Sequence, residues 1–147
     1  MVSMSKARIL IVEDEPSLQS ALKNKMEVEG FDVETAKNGL EGVEAVKRSV
    51  PDLILLDMVM PVMDGLTMLK NIRESESSKN VPVIILSNLS DSQELVKAMQ
   101  TETFDYLIKS DVSLEEIIGK VNDKLDPSIG GLEEVVDKVN QELGHTE

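Results

Sequence analysis

The sequence predicts an α/β domain of three layers, a doubly wound, five-stranded parallel sheet between two layers of helices. Two observations carry this. Short apolar runs rich in β-branched residues alternate five times with segments of helical periodicity. The run Leu53-Ile54-Leu55-Leu56 is apolar at every position, as a strand covered on both faces must be. A third observation concerns chemistry. Ile9-Leu10-Ile11-Val12 runs into Glu13-Asp14, the Leu53 run into Asp57, Val83-Ile84-Ile85-Leu86 into Ser87, and Tyr106-Leu107-Ile108 into Lys109. In parallel sheets ligands bind outside the carboxyl ends of the strands, so one site would collect all these groups.

The elements follow in order. The first strand is predicted over Arg8 to Glu13. The first helix has Pro16 in its opening turn, where the missing N–H costs nothing, and Leu18, Ala21, Leu22, Met26 and Val28 at helical spacing before Gly30 stops it. Phe31 to Ala36 alternates and is more polar, as an edge strand would be. Asn38, with Glu41 three residues on, caps a second helix whose buried stripe is Leu40, Val43 and Val46. The third strand is Asp52 to Asp57. Asp64-Gly65 opens a third helix with Leu66, Leu69 and Ile72 facing inward, and Val81 to Ser87 is the fourth strand. Ser90 with Gln93 caps a fourth helix presenting Leu95, Val96 and Met99 to the core. Phe104 to Ile108 is the fifth strand, and Ser113 with Glu116 caps a fifth helix buried through Ile117, Ile118, Val121 and Leu125.

These elements form one domain over residues 6–126. Asp126-Pro127-Ser128-Ile129-Gly130-Gly131 punctuates its end, and residues 127–147 form a C-terminal extension. Leu132, Val135, Val136, Val139 and Leu143 share one helical face there, predicting an extra helix over about 131–143.

Composition narrows the function. Among 147 residues, 28 acidic against 15 basic side chains give a net charge of −13. That disfavours direct contact with nucleic acid, which needs Lys and Arg, and equally with an anionic membrane surface. No cysteine is present, which excludes disulfides and thiolate metal sites and fits a cytoplasmic protein. No apolar stretch approaches the roughly 18 residues of a membrane span.

Three carboxylates at neighbouring strand ends repel one another unless a cation sits among them. Mg²⁺ suits hard oxygen ligands and leaves positions for water and phosphate. A carboxylate beside it can attack phosphorus and form an aspartyl phosphate, while a lysine and a hydroxyl bind the oxygens that gain charge. Asp57 is the predicted nucleophile, because it ends the most apolar strand. Met58, Met60 and Met63 read as loop and core packing, and His145 as a solvated tail residue.

The set Glu13-Asp14, Asp57-Met58-Val59-Met60-Pro61-Val62-Met63-Asp64-Gly65, Ser87 and Tyr106-Leu107-Ile108-Lys109 closely resembles the receiver domain of two-component response regulators, over about residues 6 to 125. The resemblance implies a flavodoxin-like fold of the chemotaxis-regulator type, with strand order 2-1-3-4-5. It implies that Asp57 accepts a phosphoryl group from a sensor histidine kinase or phosphotransfer protein. It further implies that Asp14 binds Mg²⁺, with Glu13, Asp57 and the main-chain carbonyl of Val59 completing the metal site. Lys109 would contact the phosphoryl oxygens. Ser87 and Tyr106 would act as the switch pair that remodels the face of helix four, strand five and helix five for an unidentified downstream protein. The protein would be a monomer or a phosphorylation-dependent dimer, and a phosphoacceptor rather than a turnover enzyme.

Two departures from the family pattern have consequences. Ser110 follows Lys109 where the family often has proline, which predicts a trans peptide there. Val59 and Leu89, two residues beyond Asp57 and Ser87, cannot orient an attacking water, which predicts slow self-dephosphorylation. The alternative is a pseudo-receiver, a constitutive interaction module marked by weak Mg²⁺ binding and no phosphorylation. A phosphohydrolase of the haloacid dehalogenase type would need a second Asp where Val59 stands, and a P-loop would need glycines absent from Val12-Glu13-Asp14-Glu15-Pro16.

Overall fold

Strict alternation of side chains along the central strands divides the molecule into two cores. The computed structural model describes residues 6–88 and 105–125. Its elements are β1 (Arg8–Val12), α1 (Pro16–Val28), β2 (Asp32–Ala36), α2 (Gly39–Arg48), β3 (Leu53–Asp57), α3 (Gly65–Arg73), β4 (Val83–Ser87), β5 (Asp105–Ile108) and α4 (Leu114–Leu125), the last being the fifth helix of the sequence reading. The five strands are all parallel in the order β2-β1-β3-β4-β5. Ile9, Ile11, Leu53, Leu55, Ile84 and Leu86 pack with Leu22 and Met26 of α1 and with Ile117, Ile118 and Val121 of α4. Leu10, Val12, Ile54, Leu56, Val83 and Ile85 pack on the opposite face with α2 and α3. Each such side chain contributes about 1.5–3 kcal/mol by leaving water.

Among the described residues the helix starts are capped as expected. Asn38 Oδ1 accepts from Glu41 N at 2.8 Å, and Asp64 Oδ1 accepts from Thr67 N at 2.8 Å. Ser113 Oγ accepts from Glu116 N at 3.1 Å while Glu116 Oε1 accepts from Ser113 N at 3.3 Å, a reciprocal capping box. Glu41 instead reaches one residue further back, to Lys37 N at 3.1 Å. Gly30 stops α1 with φ +96°, a left-handed conformation that glycine adopts without a Cβ penalty.

Several positions differ from the sequence reading. Leu40 is 44% exposed, and α2 turns Gly39, Gly42, Val43, Ala45 and Val46 inward. Small residues let this helix lie close to β1 and α3, which rotates Leu40 out of the interface. Val28 is 79% exposed at the end of α1, beyond the last turn that meets the sheet. Met68, which the sequence reading did not name, is fully buried at the α3 interface, while Leu66 packs against the core only half-buried. β4 begins at Val83, since Pro82 has no N–H to give to the ladder and only its carbonyl pairs, with Ile54 N at 3.0 Å. The predicted fourth helix with its Ser90–Gln93 cap, and also Leu89, Phe104 and the extension over 127–147, lie outside the described residues.

Candidate functional site

Register places the chemistry. Val12 pairs with Leu56, so Glu13 stands beside Asp57 on the two central strands. Asp57 pairs with Leu86 and Ser87 with Ile108, and Lys109 N donates to Ser87 O at 2.8 Å. The order β2-β1-β3-β4-β5 thus brings Glu13, Asp14, Asp57, Ser87 and Lys109 to one end of the sheet.

Glu13, Asp14 and Asp57 each present a carboxylate oxygen, all within 4.8 Å of one another. Glu13 is 1% and Asp57 4% exposed, while Asp14 faces solvent. Lys109 Nζ lies 3.0 Å from Asp57 Oδ1 and 3.1 Å from Glu13 Oε1. The second contact is an ion pair without a directed hydrogen bond, since Glu13 Oε1 has no partner of hydrogen-bonding geometry among the described residues. Glu13 Oε2 accepts from Glu15 N at 3.0 Å. Ser87 Oγ is wholly buried and has no hydrogen-bond partner among the described residues. A buried hydroxyl left unpaired costs about 1–3 kcal/mol, so an acceptor brought to Ser87 would bind favourably.

Burial pushes the Asp57 carboxyl up to about 7, and the adjacent Glu13 charge adds to this; Lys109 pulls in the opposite direction. Burial acts to lower the Lys109 pKa, but its close contacts with the Asp57 and Glu13 carboxylates outweigh it and hold the ammonium above its ordinary value. With all three carboxylates ionised, one lysine leaves two negative charges uncompensated. Hard oxygens, that residual charge and one solvent-facing ligand fit a small divalent cation such as Mg²⁺.

The loop after β3 is tightly fixed. Gly65 N donates to Met58 O at 3.0 Å, and a Cβ on Gly65 would collide with the main-chain carbonyl of Asp57. Only glycine lets α3 start this close to the strand that carries Asp57. Met63 N donates to Pro61 O at 2.7 Å around Val62, whose φ of +69° is strained for a β-branched residue. Gly39 N then donates to Met63 O at 2.9 Å and ties the loop to α2. Val59 is exposed beside Asp57, and Met58 and Met60 are buried. Tyr106 is partly exposed on β5, outside the core. The Lys109–Ser110 peptide is trans, as are all described peptide bonds.

One contact was not foreseen from the residues. Gln19 Nε2, on α1, donates to Glu13 O at 2.9 Å and Ala36 O at 3.1 Å. Its only sequence signal is a long amide next to the inward-facing Leu18.

The family model described as the response regulator receiver domain matches residues 9–122. The DNA-binding dual master transcriptional regulator RpaA of Synechocystis is 32% identical over 114 residues, covering 78% of this chain and 47% of that protein. The chain spans about half the length of the curated transcriptional regulators it matches. A CheY-like receiver domain protein of Methanospirillum hungatei superposes with a TM-score of 0.77 at 25% identity, covering 86% of this chain and 99% of that one. The receiver domain of sensor histidine kinase PA1611 from Pseudomonas aeruginosa, solved with magnesium coordinated in its active-site cleft, superposes with a TM-score of 0.74 at 27% identity, over 82% and 98%.

Proposed function

Since the chain belongs to the response regulator receiver-domain family of two-component systems, we propose that it is a phosphorylation switch with Asp57 as phosphoacceptor. The observation that carries this reading is the convergence of three carboxylates, Lys109 and the buried Ser87 hydroxyl at one sheet end. An Asp57 carboxylate oxygen attacks the phosphorus of a phosphohistidine on a sensor kinase or phosphotransfer protein. The P–O bond forms as the P–N bond breaks, and the electron pair leaves on the imidazole nitrogen. Glu13, Asp14, Asp57 and the Val59 carbonyl would hold Mg²⁺, which when bound neutralises the carboxylates and the phosphoryl oxygens. Lys109 Nζ, already against Asp57, meets a second phosphoryl oxygen. Ser87 Oγ–H donates to a third, and Tyr106 moves into the space behind it. The new charge thereby biases a two-state surface around β5 and α4 that is read by another protein.

The chain acts in this reading as a cytoplasmic phosphoacceptor and not as a turnover enzyme. Neither the Val59 nor the Leu89 side chain can orient a hydrolytic water, so the aspartyl phosphate is lost slowly. Among the described residues no helix is long and apolar enough to cross a membrane.

Intact mass after incubation with acetyl phosphate, with and without Mg²⁺ and alongside Asp57→Asn, tests this. A single phosphoryl adduct that needs both the metal and Asp57, and that outlasts seconds in Mg²⁺, is the expected result. An adduct on Asp57→Asn, or none on wild-type protein with either acetyl phosphate or a phosphorylated histidine donor, would overturn it.

A further inference from the structure

We propose that Gln19 is a positioning residue for divalent-cation binding, acting through the Glu13–Asp14 peptide; this rests on the metal-dependent reading above. The β1–β2 ladder ends where Glu13 N donates to Ala36 O at 3.0 Å. Beyond that rung the chain must turn away into α1, and the plane of the next peptide is free to rotate. Gln19 removes that freedom. Its two amide hydrogens go to Glu13 O at 2.9 Å and Ala36 O at 3.1 Å, so one side chain from α1 staples the ends of both strands. Glu13 O belongs to the peptide from which Asp14 hangs. The Asp14 side chain itself has no hydrogen bond or ion pair with any described residue, so among these residues only the backbone fixes the point and direction from which it projects. The neighbouring Glu13 carboxylate, by contrast, is held by Glu15 N and Lys109.

Mg²⁺ demands near-octahedral geometry at short distances, whereas Ca²⁺ accepts variable numbers of ligands at longer ones. A rotated Glu13–Asp14 peptide therefore penalises Mg²⁺ more than Ca²⁺. Charge effects and general destabilisation act on the two ions alike, so their affinity ratio isolates positioning.

Calorimetric titration of the full chain with MgCl₂ and with CaCl₂ tests the inference, using wild type, Gln19→Met, Gln19→Arg and the exposed control Ser20→Ala. Gln19→Met keeps length and helix propensity but has no donor; Gln19→Arg restores donors. Support is a Mg²⁺ affinity about tenfold weaker in Gln19→Met, a Ca²⁺ affinity that falls by less, and a wild-type ratio in Gln19→Arg and Ser20→Ala. An unchanged ratio in Gln19→Met, or the same loss in Gln19→Arg, overturns the inference while leaving the phosphoacceptor reading intact. Wild-type protein that binds neither ion overturns both.

Discussion

Replacing Asp57 by Asn removes a buried charge, and the consequence for stability follows from the site's electrostatics. The Asp57 carboxyl titrates near 7 in the folded protein against an ordinary value of 3.8. Its proton therefore stabilises the native state; that contribution is complete below about pH 4 and is lost as pH rises through 7. Three pK units at about 1.4 kcal/mol each set a ceiling of roughly 4 kcal/mol for the penalty carried by ionised Asp57 above pH 7. Asparagine has no such titration and still offers Lys109 an oxygen acceptor. The Asp57→Asn margin over wild type should thus be smallest, about 1 kcal/mol or less, at pH 4.5, grow through pH 6, and reach about 2–4 kcal/mol at pH 8. Urea unfolding followed by far-ultraviolet circular dichroism in EDTA measures it, because a slope of about 1–3 kcal/mol/M turns that margin into a midpoint shift of about 1 M or more. Added Mg²⁺ should stabilise wild type at pH 8 and narrow the gap. A margin that is flat across pH, or that shrinks as pH rises, would refute the argument from burial.

Lys109→Met leaves Glu13 and Asp57 without their shared cation, so stability should fall by about 3–5 kcal/mol at pH 8 and by clearly less at pH 5.5, where Asp57 takes up a proton; equal losses at both pH values in urea melts would contradict this. Gly65→Ala pushes a methyl into the Asp57 carbonyl and should cost about 2 kcal/mol or more while slowing acetyl phosphate labelling; wild-type midpoint and labelling rate would show that the loop yields freely. Val62→Asn places a residue tolerant of positive φ in an exposed left-handed position and should raise stability by about 1 kcal/mol; a lowered urea midpoint would show that the valine is held by packing rather than strained.

Periodicity and end signals are local, which is why so much of the fold was legible in the chain. Asn38, Asp64 and Ser113 mark helix starts because each oxygen reaches an N–H three residues away, and neither partner needs a tertiary neighbour. The apolar strands announce the sheet, and their polar termini name Glu13, Asp14, Asp57, Ser87 and Lys109 as one site once the strands are parallel. Leu40 and Val28 were misread and Met68 was missed because helical spacing gives a stripe but not the rotation or closeness of the helix that carries it. For α2 and α3 those depend on Gly42 lying against Met68 and Val12, a contact between elements far apart in sequence. The same limit governs the chemistry. That Asp57 titrates near 7, that Lys109 divides itself between two carboxylates, and that Gln19 bridges β1 and β2 all depend on distances of a few ångströms between residues far apart along the chain. Desolvation and Coulomb forces act through space, so residue types and their order supply the groups, while folding sets their charge states and mutual reach.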